Sequence, residues 1–187
     1  MFHHEPDGRP AQHLSSFRFE ARGNWGHIFA VGEQAGSLLE RIGKEVIRAP
    51  DPKPWLCRPI LSEQEIQMNE SDEPVVYSVS NLVICRDAQQ HKMWMGSSET
   101  AKQEHVQDVL QRGLSRQLQI LGVTFDVPAP AVQTISHERA VPKLHSMPQA
   151  NVFVRVASVL FGVPLDLRGH WAAGALVNRG YGRIDSL

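Results

Sequence analysis

The sequence lacks several things that would have fixed its chemistry at once. Cysteine occurs only twice, at Cys57 and Cys85, with no neighbouring Cys and no metal-ligand spacing. That excludes a disulfide framework and a zinc knuckle, and it suits two reduced core thiols in a cytoplasmic protein. No apolar run is long enough for a transmembrane helix, so no membrane partner is expected. The opening MFHHEPDGRP has no basic region followed by an apolar one, so it is not a signal peptide. No GK[ST] completes a phosphate-binding loop, and no G-x-S-x-G marks a serine nucleophile. Nine histidines are present, but none forms HxH or HExxH, so neither metal nor cofactor is expected.

Net charge is also nearly absent, at −1 over 187 residues, but it is unevenly spread. Residues 1–74 carry 8 Lys/Arg against 12 Asp/Glu, a balance of −4; residues 75–187 carry 11 against 8, a balance of +3. This argues against indiscriminate nucleic-acid binding and leaves room for a basic face on the second half.

The pattern along the chain is that of an α+β protein. SFRFEARG (16–23) alternates as a half-buried strand, the one clear strand before the first helix. GEQAGSLLERIGKEVI (32–47) has an apolar stripe of Ala35, Leu38, Leu39, Ile42 and Val46 at helical spacing. RAPDPKP (48–54) is a loop, a strand is expected around Trp55–Leu61, and the acidic 62–73 reads as an exposed loop. PVVYSVSNLVICRD (74–87) is rich in strand formers. The longest helix is expected over 99–121, with Val106, Val109, Leu110, Leu114, Leu118 and Leu121 on one face and Gly122 as its cap. Extended chain follows at 132–135. One or two strands joined near Gly162–Pro164 fill 151–169, then a short helix over 170–180 and a last strand in YGRIDSL. From residue 75 the order is strand, helix, strand, strand, helix, strand, that of a ferredoxin-like unit. Residues 1–74 read as an incomplete second copy, so the expectation is tandem ferredoxin-like (RRM-like) domains at 1–74 and 75–187.

The densest chemistry lies in GHWAAGALVNRGYGRI (169–184). Gly180 and Gly182 let a phosphate approach the backbone N–H groups, Arg179 and Arg183 supply charge, and Tyr181 can stack on a base. The same residues suit a tight turn into a strand. Arg112 and Arg116, one helical turn apart, can track successive phosphates, or they can be a solvated face. Four phosphates neutralised by Arg112, Arg116, Arg179 and Arg183 imply a log–log salt slope of about −3 to −4. On the alternating strand, Arg18 and Arg22 stand opposite Phe17 and Phe19 and can stabilise a phosphorane-like transition state. His27 can move a proton for 2′-hydroxyl attack on RNA.

Taken together, GHWAAGALVNRGYGRI, the strand YSVSNLVICRD, the helix LQRGLSRQLQILGV and the run VASVLFGVPLDL resemble the crRNA-processing endonucleases of type IV-A CRISPR systems, Cas-six-like members of the RAMP superfamily. The resemblance covers about residues 75–187. It implies two ferredoxin-like domains and metal-independent cutting of repeat RNA beside a hairpin, leaving a 2′,3′-cyclic phosphate. It also implies retention on the 3′ hairpin of the crRNA within an effector complex of backbone, Cas-five-like and large subunits, with a DinG-type helicase recruited later. By the same resemblance Arg179, Gly180, Tyr181 and Gly182 belong to the hairpin-binding loop and Arg112 and Arg116 to the phosphate-contacting helix; Arg168 and Arg183 are further RNA-binding candidates. The N-terminal part departs from the family pattern, so Arg18, Arg22 and His27 are catalytic candidates by position and chemistry only. A non-catalytic hairpin-binding cap is the alternative. An RRM-like module outside CRISPR is a third, but Tyr77, Phe153 and Phe161 look interior, which leaves its sheet without stacking aromatics.

Overall fold

The structure, a computed structural model, describes residues 17–22, 25–48, 60, 62–142 and 153–187. The chain divides into two compact units, Met1–Glu65 and Ile66–Leu187.

In the first unit β1 (Phe17–Arg22) and β2 (Trp25–Ala30) form an antiparallel hairpin, followed by α1 (Glu33–Arg48). The sequence pattern showed only β1. β2, WGHIFA, mixes Trp, Ile and Phe with Gly and His, so its alternation is weak, and pairing with β1 supplies what the pattern lacks. Gly32 (φ 87) turns the chain into α1, whose first bond runs from Gly36 N–H to Gly32 C=O. The strand expected around Trp55–Leu61 lies outside the described residues.

The second unit is one five-stranded antiparallel sheet with helices on one face. It comprises β3 (Gln67–Cys85), α2 (Ala88–Gly96), α3 (Glu99–Ile120), β4 (Ala131–Pro142), β5 (Phe153–Arg168), the two-residue β6 (Trp171–Ala172), a 3₁₀ turn (Val177–Arg179) and β7 (Arg183–Ser186). The strand order is β4-β5-β3-β7-β6. Without β6, that is the interleaved order of a ferredoxin-like unit: β5 lies between β3 and β4, and β3 lies between β5 and β7.

Two expectations are corrected here and an open one is resolved. The acidic stretch from Gln67 onward is strand rather than loop: Gln67–Glu70 pair with Leu165–Arg168, and ladder bonds outweigh the poor strand propensity of Asn and Glu. Of the one or two strands expected over 151–169, the structure forms one, Phe153–Arg168, which pairs with β4 up to Gly162 and with β3 also beyond it, the β3 register being irregular opposite Pro164. The helix expected over 170–180 is not there. Its place is taken by β6 and a single 3₁₀ turn, because Gly174 (φ 89), Leu176 (φ 61) and Gly180 (φ 82) all take left-handed backbone, which no α-helix tolerates.

The main core lies between the sheet and the helices. Val106, Leu110, Leu114 and Leu118 of α3 meet Tyr77, Val79, Val159, Phe161 and Val163 there. Tyr77 and Phe161 are buried, so the sheet presents neither ring for stacking. Phe153's side chain lies outside the description. Tyr77 donates to Leu165 C=O at 2.9 Å and accepts from Leu167 N–H at 2.8 Å. Burial outweighs the bond from Leu167 N–H and pushes its pKa up. Burial likewise pushes the Cys85 thiol up to about 11. On the other face, Val83, Val154 and Val156 form a smaller apolar cluster with Val141, Ala175, Leu176 and Tyr181.

Candidate functional site

The glycine-rich segment 169–182 wraps the free edge of β3. β7 pairs with β3 only from Tyr77 to Ser80. Beyond that point the segment covers β3 instead: a Cβ on Gly174 would lie 2.8 Å from Leu82 Cδ1, and Gly182 N–H donates to Ser80 C=O at 3.2 Å. Gly182 (φ 70) has no room for a side chain, since a Cβ would stand 1.8 Å from Ala173 O. Ala173 N–H in turn donates to Gly182 C=O at 2.8 Å. Trp171 anchors the start, its indole N–H shared between Arg168 C=O (3.0 Å) and Gln67 C=O (3.2 Å).

This geometry answers why glycines are there, and it corrects the expected phosphate cradle. The N–H groups of Arg179, Gly180, Tyr181 and Gly182 already donate to Leu176, Val177, Leu176 and Ser80 carbonyls. None of these four is aimed outward. Tyr181 is half-buried on the smaller cluster with Ala175 and Leu176. What the wrap displays to solvent is the Arg179 side chain.

α3 docks directly on the wrap. A Cβ on Gly113 would stand 2.6 Å from Ala173 Cβ and 2.7 Å from Gly174 N, so the two backbones meet there. One turn on, Gln117 clamps the segment: its side-chain N–H donates to His170 C=O and its oxygen accepts from Ala172 N–H, each at 2.7 Å. Arg112 and Arg116 each precede a docking residue by one position, and both are exposed. Arg112 is ion-paired with Asp108, Arg168 with Asp166 (2.9 Å) and Arg183 with Asp185 (2.8 Å). Arg168 lines an open concavity of about 450 Å³ with Tyr77, Asp166, Trp171 and Asp185.

Gly113 and Gln117 were missed from sequence, although each leaves a signal. A glycine inside a helical stripe costs about 1 kcal/mol relative to Ala and asks for a packing reason. Gln117 stands two turns after Leu110, an apolar-stripe position, and is buried. A second set went unnoticed where α2 meets β4 and β5. There Glu138 accepts from Trp94 Nε1 (3.0 Å) and Arg155 (3.3 Å), while Arg155 Nε donates to His91 Nδ1 (3.0 Å). His105, which precedes Arg112 on α3, bonds Ile84 C=O at 2.9 Å and stands edge-on to Trp94.

The catalytic candidates lie in the first unit. Glu20 pairs with His27 across the hairpin, and Arg18 with Phe29, so Arg18, Glu20 and His27 share one face. Arg18 is buried and ion-paired with Glu20 at 2.5 Å. His27 stacks on Phe29 at 6.0 Å between ring centroids. Arg22 pairs with Trp25 in the ladder. Among the described residues no group of three or more His, Cys, Asp or Glu is placed to hold a metal ion, and no helix is long and apolar enough to cross a membrane.

Comparison with known proteins bears on this arrangement. No curated protein matches the sequence. A solved structure of "Csf5, CRISPR-Cas type IV Cas6 crRNA endonuclease" is 26% identical with a TM-score of 0.67, over 93% of this chain and 68% of its own. A Cas6b structure gives a TM-score of 0.69 at 16% identity, over 99% of this chain and 83% of its own. A second, described as the CRISPR RNA processing endoribonuclease Cas6b, gives 0.67 at 17%, over 92% and 82%. At those identities the two Cas6b structures speak for the fold alone. The family model for the type IV CRISPR-associated endonuclease Csf5 matches residues 1–186. With nearly the whole sequence matched, this chain belongs to the Cas6-like Csf5 family of type IV CRISPR-associated endonucleases.

Proposed function

We propose that this chain cuts CRISPR repeat RNA beside a hairpin and remains on the 3′ hairpin of its product as a subunit of a type IV-A effector complex. The coarser reading, an endoribonuclease that processes crRNA within a CRISPR ribonucleoprotein, rests on the family match and on the 26%-identical structure. The observation that supports the finer one is the docking of α3, the helix that carries the exposed Arg112 and Arg116, on the glycine-rich wrap through Gly113 and Gln117.

In this reading the RNA supplies its own nucleophile. The 2′-hydroxyl attacks the adjacent phosphorus, an O2′–P bond forms, and the P–O5′ bond breaks. The products are a 2′,3′-cyclic phosphate and a 5′-hydroxyl. His27 moves a proton to or from the reacting oxygens, while Arg18 and Arg22 balance charge on the phosphorane. No metal is required. The strand order of the second unit and the hairpin and helix of the first support a tandem ferredoxin-like plan with a reshaped first domain. The partners implied are the crRNA hairpin, a repeated backbone subunit, Cas-five-like and large subunits, and indirectly a DinG-type helicase.

One observation favours the alternative of a non-catalytic hairpin cap: Arg18 is buried against Glu20 rather than presented to solvent. The test is incubation of the full chain, in EDTA, with labelled repeat RNA and with a copy carrying 2′-deoxy at the cut. A cyclic-phosphate product that disappears with the deoxy substrate, and that weakens in Arg18→Ala, Arg22→Ala or His27→Ala, is the expected result. Tight binding without any cut would replace the nuclease by the cap.

A further inference from the structure

The arginines of the second unit differ in what balances their charge. Arg112, Arg155, Arg168 and Arg183 each pair with a carboxylate, from Asp108, Glu138, Asp166 and Asp185. A phosphate must compete with that carboxylate, so these side chains offer a polyanion little net charge. Arg139 is built differently. Its Nη2 donates to Asn81 Oδ1 at 2.8 Å, a neutral acceptor, and the residue is exposed. Among the described residues no carboxylate lies within ion-pair distance of it. Asn81 therefore aims the guanidinium without discharging it.

The backbone is bent to make that bond. β3 and β4 flank β5, and each is bulged at the level of Ala157 and Ser158: β3 between Val79 and Leu82, β4 between Ser136 and Arg139. Each bulge holds a non-glycine residue in the left-handed region, Asn81 (φ 53) and His137 (φ 50). Bulges re-aim side chains, and such residues persist only where their surroundings over-determine them. Here the Arg139–Asn81 bridge ties the two bulges together across β5. It also borders the wrap. Gly182 N–H bonds Ser80 C=O, next to Asn81, and Val83 and Val141, two residues from Asn81 and Arg139, lie in the cluster beneath Tyr181.

We propose that Arg139, aimed by Asn81, binds an RNA phosphate and extends the RNA-contacting surface from the glycine-rich wrap across the sheet to its edge strand β4. The inference rests on the RNA-binding reading above. One phosphate contact contributes about 0.9 to the log–log salt slope, equivalent to about eightfold in affinity at 0.1 M salt and vanishing toward 1 M.

The test measures binding of the full chain to the hairpin of its own repeat RNA across a salt series. Arg139→Gln is expected to weaken binding about eightfold at 0.1 M and flatten the slope by about 0.9, with an unchanged melting curve. Arg139→Lys, which keeps the charge, should keep most of the slope. Asn81→Asp is the second variant: it preserves shape and the left-handed backbone but hands Arg139 a carboxylate, and should act in the same direction as Arg139→Gln. If the wild-type chain binds the hairpin and neither Arg139→Gln nor Asn81→Asp alters affinity or slope, Arg139 is not a phosphate ligand and the RNA reading stands without it. A wild-type chain that does not bind the hairpin overturns that reading and this inference with it.

Discussion

Replacing Gly182 by Ala tests whether the wrap is as closely fitted as its geometry says. Two costs add. Alanine in the left-handed region costs about 1 kcal/mol or somewhat more. The new Cβ would also stand 1.8 Å from Ala173 O, a backbone atom that cannot rotate away. The wrap must then shift, and the bonds Gly182 N–H to Ser80 and Ala173 N–H to Gly182 go with it, at about 1 kcal/mol each. The total is about 3 kcal/mol or more, a large share of an ordinary domain's stability. For a chain of this size that is a fall in melting temperature of roughly 10 °C. Gly122→Ala is the matched control: its φ is 74 and a Cβ there meets nothing within 4 Å, so only the backbone cost of about 1 kcal/mol remains. Urea unfolding of both variants, followed by tryptophan fluorescence, separates strain from collision. Equal losses in the two variants would refute the close approach of residue 182 to Ala173.

Three further outcomes follow from the same packing. Gly113→Ala gains helix propensity of about 1 kcal/mol but drives a methyl to 2.6 Å from Ala173 Cβ; the net effect in thermal melts should be destabilising, with hairpin affinity reduced as the helix parts from the wrap. Tyr77→Phe strands two buried backbone groups, Leu165 C=O and Leu167 N–H, and should cost about 2 to 3 kcal/mol by urea titration. Cys85, raised by burial from 9.0 to about 11, keeps its proton in the folded state while the unfolded chain loses it; stability should therefore be intact below about pH 9 and fall as pH rises toward 11, and in a Cys57→Ser background the thiol should resist iodoacetamide until the chain is unfolded.

Much of the second unit was legible in sequence because its elements are long and periodic. α3 follows from its leucines, and β3 and β5 from runs of Val, Leu and Ile. Among the short elements, the last strand β7 was legible but α2 was not. α2, AQQHKMWMG, buries only Trp94 among its residues and so leaves no stripe to read, and its capping by Asp87 is a local signal easily taken for a loop. The glycine-rich segment stands out by composition, but composition cannot say whether a glycine serves an incoming phosphate or the chain's own backbone. Here Gly182 serves Ala173 and Ser80. The partners of Arg112, Arg168 and Arg183 lie two to four residues away. They could have been read from sequence, had charge been counted by neighbourhood rather than by half-chain.

The pairing of β7 with β3 has a kinetic side as well. Tyr77 meets Ser186 and Ser80 meets Arg183, so this part of the ladder closes a loop of more than a hundred residues. Contacts that distant in sequence are slow to form, since loop-closure entropy is lost before they stabilise anything. Until they form, β3 offers a row of unpaired backbone groups and a hydrophobic run, LVIC, to any other extended chain. The wrap that carries Arg179 is therefore also the latch on the sheet's vulnerable edge. A lesion that loosens it will be felt first as misassembly during folding, before any RNA is present to be bound.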